Sequence, residues 1–241
     1  MTNLSGKRWL CAELPLTEYK EGLHFQIALA EARRAGNIET DIVLMLEHPA
    51  VFTLGKSGGI ENLKVSRGFL DKENISLAQS DRGGNITFHG PGQLVVYPII
   101  HLKEAGLEVL TLVDGLEEIL IRAVADWGIT AERNPLNRGI WVDNRKLGSI
   151  GMSVKKDVCL HGFALNVNLS LAPFNWIHPC GLHDIGVTSM RRELSQEIPM
   201  SRMRDAVRNH MASFFGVSFI MTDLSELKSL LPESFENNSN T

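Results

Sequence analysis

Cysteine, lysine and histidine stand in this chain in contexts that suit group transfer. Cys180 lies in H-P-C-G-L-H-D, a stretch without periodicity and between a proline and a glycine, where a thiol can be both exposed and held. Local sequence leaves it open between a nucleophile and a structural cysteine. Cys11 and Cys159 fall in strand-like runs and read as buried, inert thiols. A thiol of ordinary acidity is only about 3% ionised at pH 7, so a cysteine nucleophile needs an activator. Lys146 is one candidate, because it opens a glycine-studded strand from which an ammonium can enter a cleft. His89, His161, His178 and His183 compete for the role, and the residues alone do not choose among them. Cys159-x-His161 with Cys180-x-x-His183 also makes a tolerable zinc set. Structural zinc sites usually pair cysteines at C-x-x-C spacing, which is missing, so no metal is expected. No G-x-S-x-G nucleophile elbow is present.

A second concentration of chemistry is R-G-G-N-I-T-F-H-G-P-G-Q-L-V-V-Y-P, residues 82–98. Gly83, Gly84, Gly90 and Gly92 interrupt two apolar runs that otherwise read as strands, and a plain hairpin needs only one such glycine. Glycine inside strand patterns marks close approach of another group to the backbone, so this stretch is expected to form a binding wall. Its spacing matches neither G-x-G-x-x-G nor a phosphate-binding G-x-x-x-x-G-K-[ST] loop.

The elements that must position these residues follow from periodicity. Residues 8–14 form a first strand. A helix capped by Thr17 then carries Leu23, Ile27, Ala30 and the stem of Arg34 on its inner face and stops at Gly36. Residues 42–46 and 51–54 are apolar runs suited to buried strands, followed by a glycine turn holding Lys56. A short helix after Ser66 and a strand over 75–78 precede the glycine-rich centre. Apolar residues from Val109 to Trp127 recur at intervals of three and four and make the clearest helix, with Gly128 as its stop. Residues 139–142, 146–154 and 160–167 read as an antiparallel meander. Gly148, Ser149, Gly151, Gly162 and Ala164 stud it, which points to a ligand surface. Residues 173–184 form a loop, and a last helix capped by Ser201 runs over 202–215 before a strand at 217–220.

With 241 residues, 44% of them hydrophobic, the chain can bury a substantial core. One domain over 1–233 is expected, with a frayed Ser- and Asn-rich tail at 234–241. A net charge of -4 supplies no overall basic field for nucleic acid. Three cysteines without framework spacing, no leader-like start and no long apolar run suggest a cytoplasmic, membrane-free protein.

Four blocks in order resemble the octanoyltransferase family, also called lipoyl(octanoyl) transferase or lipoate-protein ligase B. They are R-G-G-N-I-T-F-H-G-P-G-Q-L-V-V-Y-P from Arg82, K-L-G-S-I-G from Lys146, H-G-F-A-L-N-V-N from His161 and P-C-G-L-H-D-I-G-V-T-S from Pro179. Cys159-Leu160 and Leu169-Ser170 depart from the usual family residues without touching the blocks' cysteine or lysine. The resemblance implies a mixed, largely antiparallel sheet flanked by helices, shared with lipoate ligases and the biotin ligase catalytic domain. It implies Cys180 and Lys146 as the catalytic pair. It also implies acyl-binding segments at Arg82, Gly83, Gly84, Asn85, Ile86, Thr87, Phe88 and His89, at Ser149, Ile150 and Gly151, and at Gly162, Phe163 and Ala164. The implied reaction moves an octanoyl group from octanoyl-acyl carrier protein, through a Cys180 thioester, to a lysine of lipoyl domains. Acceptors of that kind occur in 2-oxo acid dehydrogenase complexes and the glycine cleavage H protein. No cofactor is implied, since the acyl group arrives on the carrier's phosphopantetheine. Arg138, Arg145, Lys155 and Lys156 are a candidate docking patch for these acidic partners. An ATP-dependent lipoate or biotin ligase on the same fold is the alternative, but R-G-G-N lacks a third consecutive glycine and no G-R-G-R block occurs. A cysteine thioesterase or a non-catalytic lipoyl-domain binder would lack acceptor transfer or the Cys180–Lys146 pair respectively.

Overall fold

A computed structural model describes residues 6–135, 137–178 and 186–232. In chain order it begins β1 (Lys7–Glu13), α1 (Tyr19–Ala35), β2 (Ile42–Leu46), β3 (Val51–Leu54), α2 (Arg67–Lys72), β4 (Ser76–Gln79), β5 (Thr87–His89) and β6 (Gln93–Ile99). The middle holds α3 (Leu102–Ala105), α4 (Val109–Ala125), β7 (Glu132–Arg133), β8 (Gly139–Val142), β9 (Arg145–Lys155) and β10 (Val158–Asn166). The chain closes with β11 (Gly186–Val187), α5 (Met190–Leu194), α6 (Met200–Phe215), β12 (Val217–Thr222) and α7 (Leu224–Ser229).

The main sheet has the order β12-β1-β2-β6-β10-β9-β8-β7, with β11 beside β9, and a second sheet has the order β4-β3-β5. β1 pairs in parallel with β2 and β12, while β2, β6, β10, β9, β8 and β7 pair antiparallel in turn. The mixed, largely antiparallel expectation therefore holds, and its meander is β8-β9-β10.

Both faces of the main sheet are buried, which explains why β2 and β6 carry no polar alternation. One face packs α4 and α6 through Leu116, Leu120, Met203 and Val207 against Val96, Phe163 and Leu165. The other packs α1 and α7 through Phe25, Leu29 and Leu227 against Val95, Tyr97 and Ala164. Beyond the start of α1, Tyr19 packs against Val51 and Ala78, so the small sheet covers the rest of that face. The space between the two sheets is the cleft described below.

Several local expectations need correction. α1 begins at Tyr19 after Glu18, and the Thr17 hydroxyl donates instead to the Pro15 carbonyl at 2.8 Å. Its buried face is Tyr19, Gly22, Phe25, Gln26, Leu29, Ala30, Ala32 and Arg33, so Ala30 lies inside as expected, whereas Arg34 is exposed. Partners explain the polar burial: Arg33 Nε donates to Asp41 at 3.0 Å, and Gln26 Oε1 accepts the His161 N–H at 2.9 Å. α6 starts after Pro199 rather than at a Ser201 cap, and it is not the last helix. α7 follows it, with Asp223 and Glu226 forming a capping box. The expected tail at 234–241 lies outside the described residues.

Candidate active site

The Arg82 block is fixed from two sides before it meets any ligand. On one side Lys56 and Ser57 donate their backbone N–H groups to the Arg82 and Gly84 carbonyls at 3.0 and 2.9 Å. On the other, Gly83 N–H donates to the Met152 carbonyl of β9 at 2.9 Å. Buried Arg82 clamps the small sheet, its Nη2 donating to the Thr53 carbonyl at 2.7 Å and hydroxyl at 2.8 Å, and its Nη1 to the Gly83 carbonyl at 3.0 Å. These bonds suspend residues 82–89 above β6, β10 and β9 as a wall.

Beneath the wall is a half-open cleft enclosing about 600 Å³ of atom-free space, its mouth included. Its floor follows the sheet register: Val95, Ala164 and Ser149 lie side by side on three strands, and one pleat further Gly162 pairs with Gly151. Of the acyl-binding residues implied by resemblance, Arg82, Gly83, Gly84, Asn85, Ile86, Thr87, His89, Ser149, Ile150, Gly151, Gly162, Phe163 and Ala164 line this cleft. Phe88 does not. Its ring packs in the far core of the small sheet, 5.2 Å from Phe52 and 5.8 Å from Phe174 between centroids, as strand alternation between Thr87 and His89 requires.

Lys146 lines the same cleft at one end of the floor and is 5% exposed. Its Nζ donates to Asn137 Oδ1 and lies 5.2 Å from the centre of the Trp141 ring. The Thr188 N–H donates to the Lys146 carbonyl at 3.0 Å, and β11 pairs Val187 with Lys146. Cys180 and His183 lie outside the described residues.

Two of the histidines weighed as activators of a thiol, His89 and His161, lie on the cleft. Burial, with His48 and Arg82 nearby, pushes His89 down to about 3. Burial also lowers His161 despite its 2.6 Å bond to Asp81. Both are therefore neutral imidazoles at pH 7. Asp81 itself falls to about 2: burial opposes ionisation, but Lys155 at 2.6 Å and His161 outweigh it. His178 donates its backbone N–H to the Asn62 carbonyl at 2.9 Å.

Cys11 and Cys159 are buried, and burial pushes their thiols up to about 11 and about 12. Cys159 Sγ donates to the Pro98 carbonyl at 3.1 Å in the main core, while His161 bonds Asp81. The two do not converge on one point, and no metal-holding group of three or more His, Cys, Asp or Glu occurs among the described residues.

Sequence reasoning missed Tyr19, Val95, Tyr97 and Asn137 as cleft residues. Val95 and Tyr97 carry a signal, since both lie in the Arg82 block at strand alternation. Tyr19 and Asn137 reach the cleft only through the fold. Among the docking-patch residues, Arg138 pairs with Asp114 and Glu117, Arg145 with Asp143 and Glu193, and Lys155 with Asp81, with Arg138 and Lys155 exposed as well as paired. Lys156 is exposed.

Residues 18–212 match the family model of the lipoyl protein ligase A/B catalytic domain. An octanoyltransferase of Desulfotalea psychrophila is 39% identical over 218 residues, covering 90% of this chain and 98% of that protein. The chain belongs to the octanoyltransferase family. An octanoyltransferase of Alkaliphilus metalliredigens is 40% identical over 206 residues, 85% of this chain and 94% of its own length. As a member of this family the protein is an acyltransferase enzyme. Among solved structures, a lipoate-protein ligase A bound with ATP superposes with a TM-score of 0.73 at 17% identity, covering 98% of this chain and 96% of that one. A bi-partite lipoate protein ligase from Thermoplasma acidophilum gives 0.71 at 16% identity, covering 98% and 94%. At such identities the likeness concerns the fold, which is that of lipoate ligase catalytic domains. No helix among the described residues is long and apolar enough to cross a membrane.

Proposed function

We propose that this acyltransferase moves an octanoyl group from octanoyl-acyl carrier protein to a lipoyl-domain lysine, through a thioester on Cys180. The observation that carries this reading is the buried Lys146 ammonium at one end of a cleft whose floor has apolar and glycine residues. Cys180 precedes Gly186 by six positions, and Gly186 pairs with Arg145.

In the first half-reaction the Cys180 thiolate attacks the thioester carbonyl. The carrier's phosphopantetheine sulfur leaves as a thiolate and takes up a proton. Lys146 lowers the cost of the attacking thiolate; two pKa units of such stabilisation equal about 2.7 kcal/mol. In the second half-reaction the neutral amine of the acceptor lysine attacks the acyl-Cys180 carbonyl. The C–N bond forms, the C–S bond breaks, and the proton lost by nitrogen ends on the Cys180 sulfur, with Lys146 as its carrier. Asn137, bonded to Nζ, orients the ammonium.

Thioester exchange and aminolysis need neither ATP nor a metal, so this reading requires no cofactor. Transfer assayed with purified octanoyl-carrier protein and an apo lipoyl domain is expected to proceed without nucleotide. Transfer only from free octanoate plus ATP would replace this reading with the ligase one. Acidic carriers and lipoyl domains as partners remain part of the proposal, with Arg138, Lys155 and Lys156 the exposed members of the docking patch.

A further inference from the structure

A chain of hydrogen bonds runs from the cleft wall, through the floor, to the strand beside Lys146, and both of its ends are chemically fixed. At one end is Arg82, which can only donate: Nε and Nη2 reach the Thr53 hydroxyl at 3.3 and 2.8 Å. At the other end is the Thr188 backbone carbonyl, which can only accept, and it takes Asn166 Nδ2 at 2.9 Å. Asn166 must therefore present Oδ1 to Gln93, whose Nε2 donates to it at 2.9 Å and to the Phe88 carbonyl at 3.3 Å. Gln93 in turn presents Oε1 to His89 Nδ1 at 2.7 Å. A carbonyl oxygen accepts only from a protonated nitrogen, so Nδ1 carries the ring proton and Nε2 the lone pair. Thr53, with its oxygen already accepting from Arg82, aims its own proton at Nε2, 3.4 Å away.

We infer that Gln93 and Asn166 are positioning residues which hold His89 as its neutral Nδ1–H tautomer, with its Nε2 lone pair turned to the Thr53 hydroxyl within the cleft wall. Gln93 and Asn166 are buried and do not line the cleft, whereas His89 does. They join β5 to the floor strands: Gln93 pairs with Asn166 across β6 and β10, and Thr188 bonds Lys146. The chain therefore sets the height of the wall over Val95 and Ala164 and ties it to the Lys146 end. Protonating His89 would turn Nε2 into a donor facing a hydroxyl that already accepts two bonds, which breaks the chain at Thr53. The groups that face His89 are Arg82 through Thr53, His48 at 5.8 Å and Tyr19, stacked at 6.0 Å between centroids, with His161 also on the cleft. None is a carboxylate that would favour the imidazolium.

The inference concerns the same cleft as the proposed acyl transfer and rests on that reading for its catalytic effect, but its first readout needs no substrate. Two-bond proton–nitrogen NMR of the nitrogen-labelled protein at pH 7 distinguishes the tautomers. An Nδ1–H signature for His89 is expected, and an Nε2–H signature overturns the inference whatever the enzyme transfers. Gln93→Leu should mix the tautomers and raise the KM for the octanoyl donor roughly tenfold, the equivalent of one buried hydrogen bond, with a smaller change in kcat. Gln93→Glu keeps the acceptor for Nδ1 and adds a carboxylate, so it should restore the Nδ1–H state and move the acid limb of the pH profile upward. A Gln93→Leu protein with an unchanged tautomer, or with kcat and KM lowered together, overturns the positioning role. Loss of all transfer in the wild type while the Nδ1–H signature stands would count against the proposed function alone.

Discussion

Thr188 donates its backbone N–H to the Lys146 carbonyl at 3.0 Å, so the strand that follows residues 179–185 meets the sheet at the root of the lysine side chain. The Lys146 end of the cleft is thus built from β9, β11 and the Asn137 side chain together.

From this arrangement Lys146→Met should keep the fold and lose most of the activity. The methionine can occupy the lysine's buried path, so a thermal melt is expected to move by only a few degrees. Transfer should fall by about 10²-fold or more, the usual scale for removing a proton-handling group. Asn137→Ala should give a smaller loss, because it removes orientation and leaves the charge. Equal losses for both would contradict the separate roles.

The floor gives a length test. Ala164 sits between Val95 and Ser149, and three added carbons at Ala164→Leu project from the floor into the cleft. The variant should discriminate against octanoyl in favour of shorter acyl donors. Each buried methylene is worth about 0.8 kcal/mol, or roughly fourfold in kcat/KM. Donors of six, eight and ten carbons, compared in parallel, measure the shift.

The glycines of the meander have a structural cause beside the ligand one. A Cβ on Gly162 would lie 2.2 Å from the Val96 carbonyl oxygen and 2.6 Å from Pro98 Cδ, and one on Gly139 would lie 2.2 Å from the Gly148 oxygen at φ +130°. Gly162→Ala should therefore destabilise the protein itself, by about 1–3 kcal/mol or more, in urea unfolding without any ligand. Gly83→Ala meets its nearest atom at 3.4 Å and should cost much less.

This contrast shows what the residues alone carry. Periodicity placed α4 because its apolar residues fall on one helical face, and the three strands of the meander were legible as short apolar runs bounded by turn residues. The glycines marked close approach correctly, but not what approaches: at Gly162 it is the β6 backbone, and at Gly151 the Gly83 carbonyl at 3.1 Å. The inner face of α1 escaped the pattern because Gln26 and Arg33 are buried by specific partners far along the chain. The site blocks were legible as motifs, whereas Asn137 and Tyr19 join the cleft only through tertiary packing. Phe88 shows the limit of reading a motif as a continuous run, since alternate residues of a strand face opposite ways.

Stability should fall as pH drops below about 6.5. Burial holds His48 down to about 4, with its Nδ1 donating to the Thr17 carbonyl at 2.6 Å and its Nε2 accepting from the Tyr97 hydroxyl at 2.7 Å, and it holds His89 down to about 3. Between the unfolded value near 6.5 and these folded values the unfolded chain binds more protons, so acid favours unfolding. Asp81, held at about 2, adds the same sign below pH 4. Urea midpoints from pH 7.5 to 4.5 are expected to decline, and His48→Gln should flatten the decline. A midpoint that rises toward pH 5 would contradict the neutral-histidine assignment.

The central claim is tested most directly by intact-protein mass after mixing the enzyme with octanoyl-acyl carrier protein, without nucleotide, beside Cys180→Ser. The account predicts one octanoyl group on the wild type, none on the variant, and its passage to the lysine of an apo lipoyl domain added afterwards. An unmodified wild type that gains the acyl group only with octanoate and ATP, or an adduct that persists on Cys180→Ser, would contradict it.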